Sequence, residues 1–564
     1  MSLGEGVPPP VPKRPMRVRR KRADDEEDGD IFPPGAPIDD DPRPEVLLSY
    51  EMHDVVDKTI DAWMPRDPNV YTRSGELVTV VNSGPVPERD DEDGAPRPIF
   101  APKTPRVHNL SLAGLSNRLS RAVRFCKRTP KGARVRCMPT PRLVAELAAR
   151  GEWTGASELV GITETPFLRP DGTICQIPGF DPATGYLYVP TTSFPPVPQH
   201  PTRAEGEAAL ALLREPFVDF PFATPAQSVV PVAAILTMLA RPGIHGSVLG
   251  VAISAATRGS GKSLLADAVA VISTGRSASR TTFPEDDIEL EKVLGAYALA
   301  GTRLILLDNV TRRFGGGPLD KVLTARDDVD LRVLGVSEIK RVPWTALVMC
   351  SGNNLTFGED TLRRMLLCRL ESDLENPETR TGFSHHPLLG WLEANRERFV
   401  TAALTVLRAW TCKKLDPILP LLGSFYEWSA IVPQAITFAG GPNVMEARPS
   451  GELAGDDVLA ALAVVLQRLP ALSSAALPAR RILDALYPAP GAHEPPDGWE
   501  DLRDAFEALG ALSRGHTQPS PKALTQTLLR HAGRVLDGRR LKSDVNRDSV
   551  RMFWVEAVAS RVSA

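Results

Sequence analysis

A glycine-rich segment in the middle of the chain has the residue types needed to hold a triphosphate. An apolar run at 248–253 leads into residues 257–263, which read Thr-Arg-Gly-Ser-Gly-Lys-Ser, and an apolar helical pattern follows. Glycines let backbone N–H groups face phosphate oxygens, the lysine adds positive charge, the serine hydroxyl is a Mg²⁺ ligand, and the helix N-terminus adds the positive end of its dipole. The strand–loop–helix order predicts a phosphate-binding loop for a nucleoside triphosphate.

This loop departs from the usual pattern G-x-x-x-x-G-K-[ST] at one position. Ala256 stands where the first glycine is expected, so the first turn must form without the left-handed freedom of glycine. ATP and Mg²⁺ remain the predicted ligands. The predicted nucleotide-binding residues are Arg258, Gly259, Ser260, Gly261, Lys262, Ser263 and Leu264.

A second apolar run supplies the acid that such a loop needs. Residues 303–309 read Arg-Leu-Ile-Leu-Leu-Asp-Asn, which predicts a fully buried parallel strand with Asp308 at its carboxyl end, where open α/β sheets bind ligands. Ser263 and Asp308 are the predicted Mg²⁺ ligands. Asn309 stands where a glutamate often polarises the attacking water; an amide orients water but takes no proton. Either Asn309 supports hydrolysis by positioning the attacking water, or a base from elsewhere in the protein takes the proton of that water.

A third apolar run, at 344–350, ends in Ser-Gly-Asn-Asn. A polar amide at the tip of a strand beside the phosphate-loop strand reaches the γ-phosphate or the attacking water. Asn353 is the first choice for this sensor and Asn354 the second. An isolated Gly-Asn-Asn turn would mean little, but its place after a buried strand favours the functional interpretation.

Paired arginines follow at 363 and 364, in a segment whose pattern predicts a short helix and then a strand. An arginine that reaches the γ-phosphate of a neighbouring subunit stabilises transition-state charge and requires a ring or a dimer. Arg364 is the first choice for this finger and Arg363 the alternate. An ordinary surface salt bridge is the competing interpretation.

Residues 331–343 alternate around a glycine and predict a projecting hairpin with a basic edge formed by Arg332, Lys340 and Arg341. In a ring, such hairpins line the pore and grip single-strand phosphates. A solvated charged hairpin is the alternative.

Composition limits the class of protein. The chain has 564 residues, 42% hydrophobic and 24% charged, with a formal net charge of −3, so contact with nucleic acid must come from local basic surfaces. Six scattered cysteines form no zinc-site spacing. No apolar stretch spans a bilayer and no secretory signal is recognised, so we expect a soluble cytoplasmic protein with reduced thiols and no membrane partner.

The C-terminal region shows helical patterns and then two β-like runs, a basic ribbon containing Arg539, Arg540 and Lys542. This order predicts a winged-helix-like domain that binds DNA through the ribbon, with a partner-binding module as the alternative. The predicted segments are a disordered tail at 1–45, an accessory α+β domain at 46–222, an α/β ATPase domain at 223–410, a helical extension at 411–450 and the winged-helix-like domain at 451–564.

Taken in order, the Gly-Ser-Gly-Lys-Ser of 259–263, the Leu-Leu-Asp-Asn of 306–309, the hairpin, the Ser-Gly-Asn-Asn of 351–354 and the Asp-x-x-Arg-Arg of 360–364 resemble the superfamily 3 branch of AAA+ helicases. The nearest likeness is to the primase-helicase proteins of phages, plasmids and integrative elements. The resemblance covers about residues 130–410 and implies an AAA+ P-loop ATPase core with the two flanking domains.

It further implies a hexameric, ATP- and Mg²⁺-dependent motor on single-stranded or forked DNA, with a replication initiator or a primase as partner. Lys262, Ser263 and Asp308 would act on the nucleotide, Asn353 as sensor and Arg364 as finger. The N-terminal part lacks the Asp-x-Asp with a following His of a priming site, so no primase activity is expected. The alternatives are a DNA-binding AAA+ switch that assembles on an origin or a partner without unwinding, and a purely structural P-loop protein.

Overall fold

The computed structural model describes most of the chain between residue 41 and residue 557. The residues that it describes are 41–82, 104–257, 259–332, 339–372, 377, 380–449, 457–473, 475–487, 499–512, 518–533, 535–536 and 538–557. The predicted tail therefore lies outside them up to residue 40, and so does Arg258 of the phosphate loop.

The described part of the N-terminal region forms small sheets and three helices. Two of its strands, β2 and β3, form a hairpin, because they pair antiparallel around a turn in which Ser74 and Gly75 have positive φ. The strands are β1 Glu45–Leu47, β2 Val70–Arg73, β3 Glu76–Asn82, β4 Pro105–Asn109, β5 Arg124–Arg128, β6 Arg134–Arg136, β7 Ser157–Glu158, β8 Gly161–Thr163, β9 Phe167–Leu168, β10 Ile174–Cys175, β11 Gly179–Asp181 and β12 Tyr186–Tyr188. The helices are α1 Met52–Trp63, α2 Leu112–Ala122 and α3 Pro141–Ala149.

The centre of the molecule is a five-stranded parallel sheet with the order β14-β15-β18-β13-β19. Its strands are β13 Gly250–Ala255, β14 Ser279–Thr282, β15 Leu304–Val310, β18 Leu347–Asn353 and β19 Met365–Leu370. The chain between β15 and β18 contains two further strands, β16 Asp328–Arg332 and β17 Ile339–Pro343, which pair antiparallel in a separate sheet. The predicted hairpin is therefore confirmed, and its turn lies outside the described residues.

Helices cover both faces of this sheet, as continuous apolar strands require. They are α4 Arg203–Arg214, α5 Pro225–Ser228, α6 Val230–Ala240, α7 Lys262–Thr274, α8 Asp287–Ala300, α9 Gly317–Leu323, α10 Glu359–Leu362, α11 Leu388–Ala394, α12 Arg396–Thr411 and α13 Tyr426–Phe438. Leu304 and Leu306 of β15 pack with α6, α7, α12 and α13, whereas Ile305 and Leu307 pack with α8 and α9. This alternation fixes which way each strand-end side chain points.

The C-terminal region has its own core, built from α14 to α17 and from the ribbon. The predicted ribbon is confirmed, because β22 and β23 pair antiparallel over seven residues each. The elements are α14 Asp457–Leu472, β20 Leu477–Pro478, α15 Ala479–Leu486, α16 Glu500–Ala508, α17 Pro521–His531, β21 Val535–Leu536, β22 Arg539–Val545 and β23 Arg551–Ala557.

Candidate active site

The phosphate loop joins β13 to α7, as predicted. β13 is buried along its whole length, and α7 begins at Lys262 directly after the loop. Gly259 and Gly261 have φ of +73° and +84°, the left-handed region in which a side chain is strained. These two glycines turn the loop, while Ala256 lies in a bend at its start. The start of α7 therefore presents free backbone N–H groups beside the loop.

Lys262 crosses from the loop to the neighbouring strand. Its Nζ donates to Asn353 Oδ1 at 2.8 Å and to the Thr257 carbonyl oxygen at 3.2 Å. Burial lowers the pKa of Lys262, and the nearby Asp308 carboxylate opposes that shift. Asn353 ends β18 and pairs in register with Ala255 at the end of β13. The two predicted phosphate contacts, lysine and amide, therefore lie together at the carboxyl edge of the sheet.

Asp308 lies in hydrogen-bonding contact with two serines from two other elements. Ser263 Oγ is 3.4 Å from both carboxylate oxygens, and Ser351 Oγ donates to Oδ1. Two oxygens that bind one Mg²⁺ at about 2.1 Å lie no more than about 4.2 Å apart. The hydroxyl of Ser263 and the carboxylate of Asp308 thus fit a shared Mg²⁺, which in such sites takes its other ligands from water and phosphate.

Asn309 occupies a special position at the end of β15. Its φ is +54°, and its N–H donates to Asp308 Oδ1 at 3.0 Å. The pairing of β15 with β18 shifts register between Leu307 and Val310, so the chain bulges at this point. Asparagine is among the residues that tolerate left-handed backbone best. The backbone here supplies a structural reason for asparagine in place of glutamate.

Arg280 also contacts this site, and sequence reasoning missed it. It lies on β14, with Nη2 2.5 Å from Asp267 Oδ2 and Nη1 3.7 Å from Asp308 Oδ2. Asp267 is on α7, four residues after Ser263. One signal was available in the sequence, since an aspartate one helical turn beyond the metal-binding serine faces the same side. Its presence on a mostly apolar helix called for a partner.

The two arginines of the predicted finger differ in exposure. The Arg364 side chain is 13% exposed and its Nη1 lies 2.5 Å from Asp320 Oδ1, whereas the Arg363 side chain is 62% exposed and pairs with Asp360 at 2.5 Å. Both follow α10, which ends at Leu362, rather than lying on it. In the single chain Arg364 is thus held by its own subunit, and Arg363 is the more accessible of the two.

Five of the six predicted DNA-binding side chains have partners within the chain. Lys340 forms an ion pair with Glu76, and Arg341 lies 3.3 Å from Asp330; Arg332 is in β16, but its side chain lies outside the description. On the ribbon, Arg540 and Lys542 face Glu556 at 2.8 and 3.7 Å, and Arg539 donates to the Leu466 carbonyl oxygen at 3.3 Å.

Other features bear on what the site can do. Among the described residues, no cluster of three or more His, Cys, Asp or Glu side chains is arranged to hold a metal ion. In the same part of the chain no helix is both long and apolar enough to cross a membrane. All six cysteines are free. A metal at the site would therefore depend on the serine–aspartate pair together with phosphate oxygens.

No protein-family model matches the chain, and no curated protein sequence matches it. Among solved structures it is similar to the C-terminal region of NrS-1 in an A-form apo structure, with 10% identity and a TM-score of 0.32 over 76% of this chain and 92% of that one. A second structure of that region has 11% identity and a TM-score of 0.34, over 81% of this chain and 94% of that one. The JCV helicase has 15% identity and a TM-score of 0.20, over 46% of this chain and 72% of that one. At TM-scores below 0.5, these likenesses carry no argument about activity.

Proposed function

We propose that the protein is a Mg²⁺-dependent ATPase of the AAA+ superfamily 3 helicase type, which assembles into a ring and moves on single-stranded DNA. One observation carries the ATPase part: Lys262, Ser263, Asp308 and Asn353, which come from three separate segments, converge at the carboxyl edge of one parallel sheet. Open α/β sheets bind their ligands at this edge.

Each residue has a distinct part in this proposal. The backbone of the phosphate loop and Lys262 bind the β- and γ-phosphates, and binding replaces the present contact of Lys262 with Thr257. Ser263 and Asp308 hold Mg²⁺, which when bound neutralises phosphate charge. Ser351 fixes the orientation of the Asp308 carboxylate. Asn353 orients the attacking water or the γ-phosphate, and Asn309 is the second amide near the water's path.

The motor part of the proposal rests on the order of the motifs and on the arginines after α10. In a ring, Arg364 leaves Asp320 and reaches the γ-phosphate of the neighbouring subunit, where an arginine stabilises the charge of the transition state. The hairpin of β16 and β17 and the C-terminal ribbon are the proposed DNA contacts. Single-stranded or forked DNA, further copies of the chain, and an initiator or primase are the proposed partners.

Steady-state ATP hydrolysis with and without single-stranded DNA tests this proposal. The Lys262→Ala variant is expected to lose turnover by on the order of a hundredfold or more, because the phosphate charge is no longer neutralised. Lys292→Ala is the matched control, since Lys292 is an exposed lysine on α8 paired with Glu289. Equal turnover in wild type and Lys262→Ala would overturn the assignment of the nucleotide site. Turnover that single-stranded DNA does not change would overturn the proposal that the protein moves on DNA.

One observation favours the alternative of an ATP-dependent switch that assembles on DNA without unwinding it. Asn309 stands at the position from which an acid would activate water, and its backbone conformation suits asparagine. Strand displacement on a forked duplex separates the two functions. Displacement that requires ATP supports the motor, whereas tight ATP binding with assembly and no displacement supports the switch.

A further inference from the structure

One stretch of the N-terminal region carries positive charge and no negative charge. Residues 94–145 contain twelve lysines and arginines and no aspartate or glutamate, in a chain whose formal net charge is −3. Half of the twelve lie on the hairpin formed by β5, β6 and the turn between them, namely Arg124, Lys127, Arg128, Lys131, Arg134 and Arg136. Such a local excess attracts polyanions even where the whole protein is slightly acidic.

The β5–β6 hairpin is regular and its turn is exposed. The two strands pair antiparallel, with Arg128 directly opposite Arg134. Backbone hydrogen bonds of 2.8 Å from Thr129 to Ala133 and from Gly132 to Thr129 close the turn, and Gly132 has a φ of +81°, which suits glycine. Among the described strands, β6 pairs with β5 alone and ends the sheet β1-β5-β6. The basic side chains therefore stand on a fixed ribbon with one open edge.

Two described acids neutralise part of this charge. Glu45 on β1 lies 2.9 Å from Arg124 and 2.8 Å from Arg134, so a single carboxylate serves two arginines. Asp41 lies 3.5 Å from Arg136 and is also paired with an arginine of its own segment. Neither acid is left over for the turn of the hairpin.

The remaining three basic side chains of the hairpin lie at and beside its turn. Lys127, Arg128 and Lys131 are exposed, and none of these side chains has a hydrogen bond or an ion pair with another residue that the structure describes. Side chains directly opposite each other on antiparallel strands have Cβ atoms about 5 Å apart, and like charges there are destabilising. The pairing of Arg128 with Arg134 thus costs stability unless an anion lies between the two guanidinium groups.

We propose that the β5–β6 hairpin binds the phosphate backbone of double-stranded DNA. Lysine and arginine are the side chains that neutralise DNA phosphates, and a two-stranded ribbon fits the major groove, which is about 12 Å wide. Sites for single strands stack bases on aromatic rings, whereas the one Phe, Tyr or Trp at 104–145 is Phe125, which is buried. This duplex contact goes beyond the single-strand motor proposed above. Acidic runs of the same chain, at 24–28 and 90–93, are the competing occupants.

Fluorescence anisotropy of a labelled DNA duplex, measured on the full chain without nucleotide over a series of salt concentrations, tests this proposal. The hairpin variant combines Arg128→Gln with Lys131→Gln. The control combines Lys58→Gln with Arg142→Gln, which removes the same charge from two exposed residues of the same region. Each control residue is already paired with an acid on its own helix. A labelled single strand of the same length is the second probe.

The hairpin variant is expected to bind the duplex about tenfold more weakly than the control, because phosphates lose charge-assisted contacts. The slope of log affinity against log salt should become shallower by about 1.8, at about 0.9 for each of two charges. Arg128→Glu should also weaken duplex binding, while its melting temperature stays at or above that of wild type. A glutamate opposite Arg134 replaces a like-charge pair with an opposite-charge pair, so weaker binding in this variant is not a loss of folding.

Duplex affinity and salt slope equal to those of the control would overturn the proposal, and this is the result expected if the acidic runs of the chain cover the hairpin. An equal or larger loss for the single strand would overturn the assignment to duplex DNA. The proposed ATPase fails separately, through unchanged turnover in Lys262→Ala, because duplex binding is measured here without nucleotide.

Discussion

The two edges of the central sheet hold their charges in different ways. At the carboxyl edge, an arginine contacts two acids: Arg280 pairs with Asp267 and lies 3.7 Å from Asp308. At the amino edge, Arg73 and Arg303 rest on carbonyl and hydroxyl oxygens. At the first edge the arginine is paired with carboxylates of its own chain, whereas at the second these two buried arginines are held by neutral oxygen atoms.

The largest expected effect concerns the carboxyl edge and its need for a second subunit. Arg364→Ala should lower ATP turnover by on the order of a thousandfold, because transition-state charge loses its arginine. Mixing Arg364→Ala with Lys262→Ala subunits should restore part of the activity, since some junctions then have both residues intact. Absence of rescue in rings of normal size would move the finger to Arg363 or elsewhere.

The next effect decides which amide senses the phosphate. Asn353→Ala should lower turnover by on the order of a hundredfold, as expected for removal of one positioned polar group, with little change in folding. Asn354→Ala is the natural control, because Asn354 is the following residue and has a left-handed backbone. A larger loss in Asn354→Ala than in Asn353→Ala would reverse the assignment.

A smaller effect is expected at Arg280, which lies between the two acids of the carboxyl edge. Arg280→Ala should change the Mg²⁺ concentration needed for half-maximal binding of a fluorescent ATP analogue by up to about tenfold, because Asp308 loses a neighbouring charge. Arg280→Lys should retain part of the wild-type behaviour. Identical Mg²⁺ dependence in wild type and Arg280→Ala would limit Arg280 to a structural contact with Asp267.

The smallest expected effect belongs to the amino edge. Arg73→Met should lower the free energy of unfolding by about 1–3 kcal/mol, because two buried carbonyl oxygens lose a charged donor, while nucleotide binding stays unchanged. Urea denaturation measures the difference. Equal or greater stability would mean that burying this charge costs as much as its hydrogen bonds return, which would sharpen the contrast between the edges.

The sequence predicted the carboxyl edge well because each contributor lies in an unbroken run. The apolar runs predicted two strands whose carboxyl ends hold Asp308 and Asn353, and the glycines predicted the loop. β14 was harder to predict, since it is four residues long and polar, so Arg280 went unnoticed. The bulge at Asn309 depends on the register between β15 and β18, which no local pattern encodes.

The amino edge was out of reach of sequence reasoning for a different reason. Five charged residues that lie near one another at this edge are at 73, 106, 164, 276 and 303, and each is unremarkable among its own neighbours. Only the packing of the N-terminal sheets against the central one brings them together. The confirmed hairpins, in contrast, are local structures whose alternation and turn residues lie within a dozen positions.

Helix α7 connects these two edges, and its length has a thermodynamic consequence. Its 13 residues form a rod about 20 Å long, with the phosphate loop at one end and Thr274, before the start of β14, at the other. Linkage requires that any factor by which a ligand bound at that far end changes nucleotide affinity is returned in full as a change in the affinity for that ligand. Nucleotide exchange and binding at the far end of α7 would then be two readouts of a single coupling free energy.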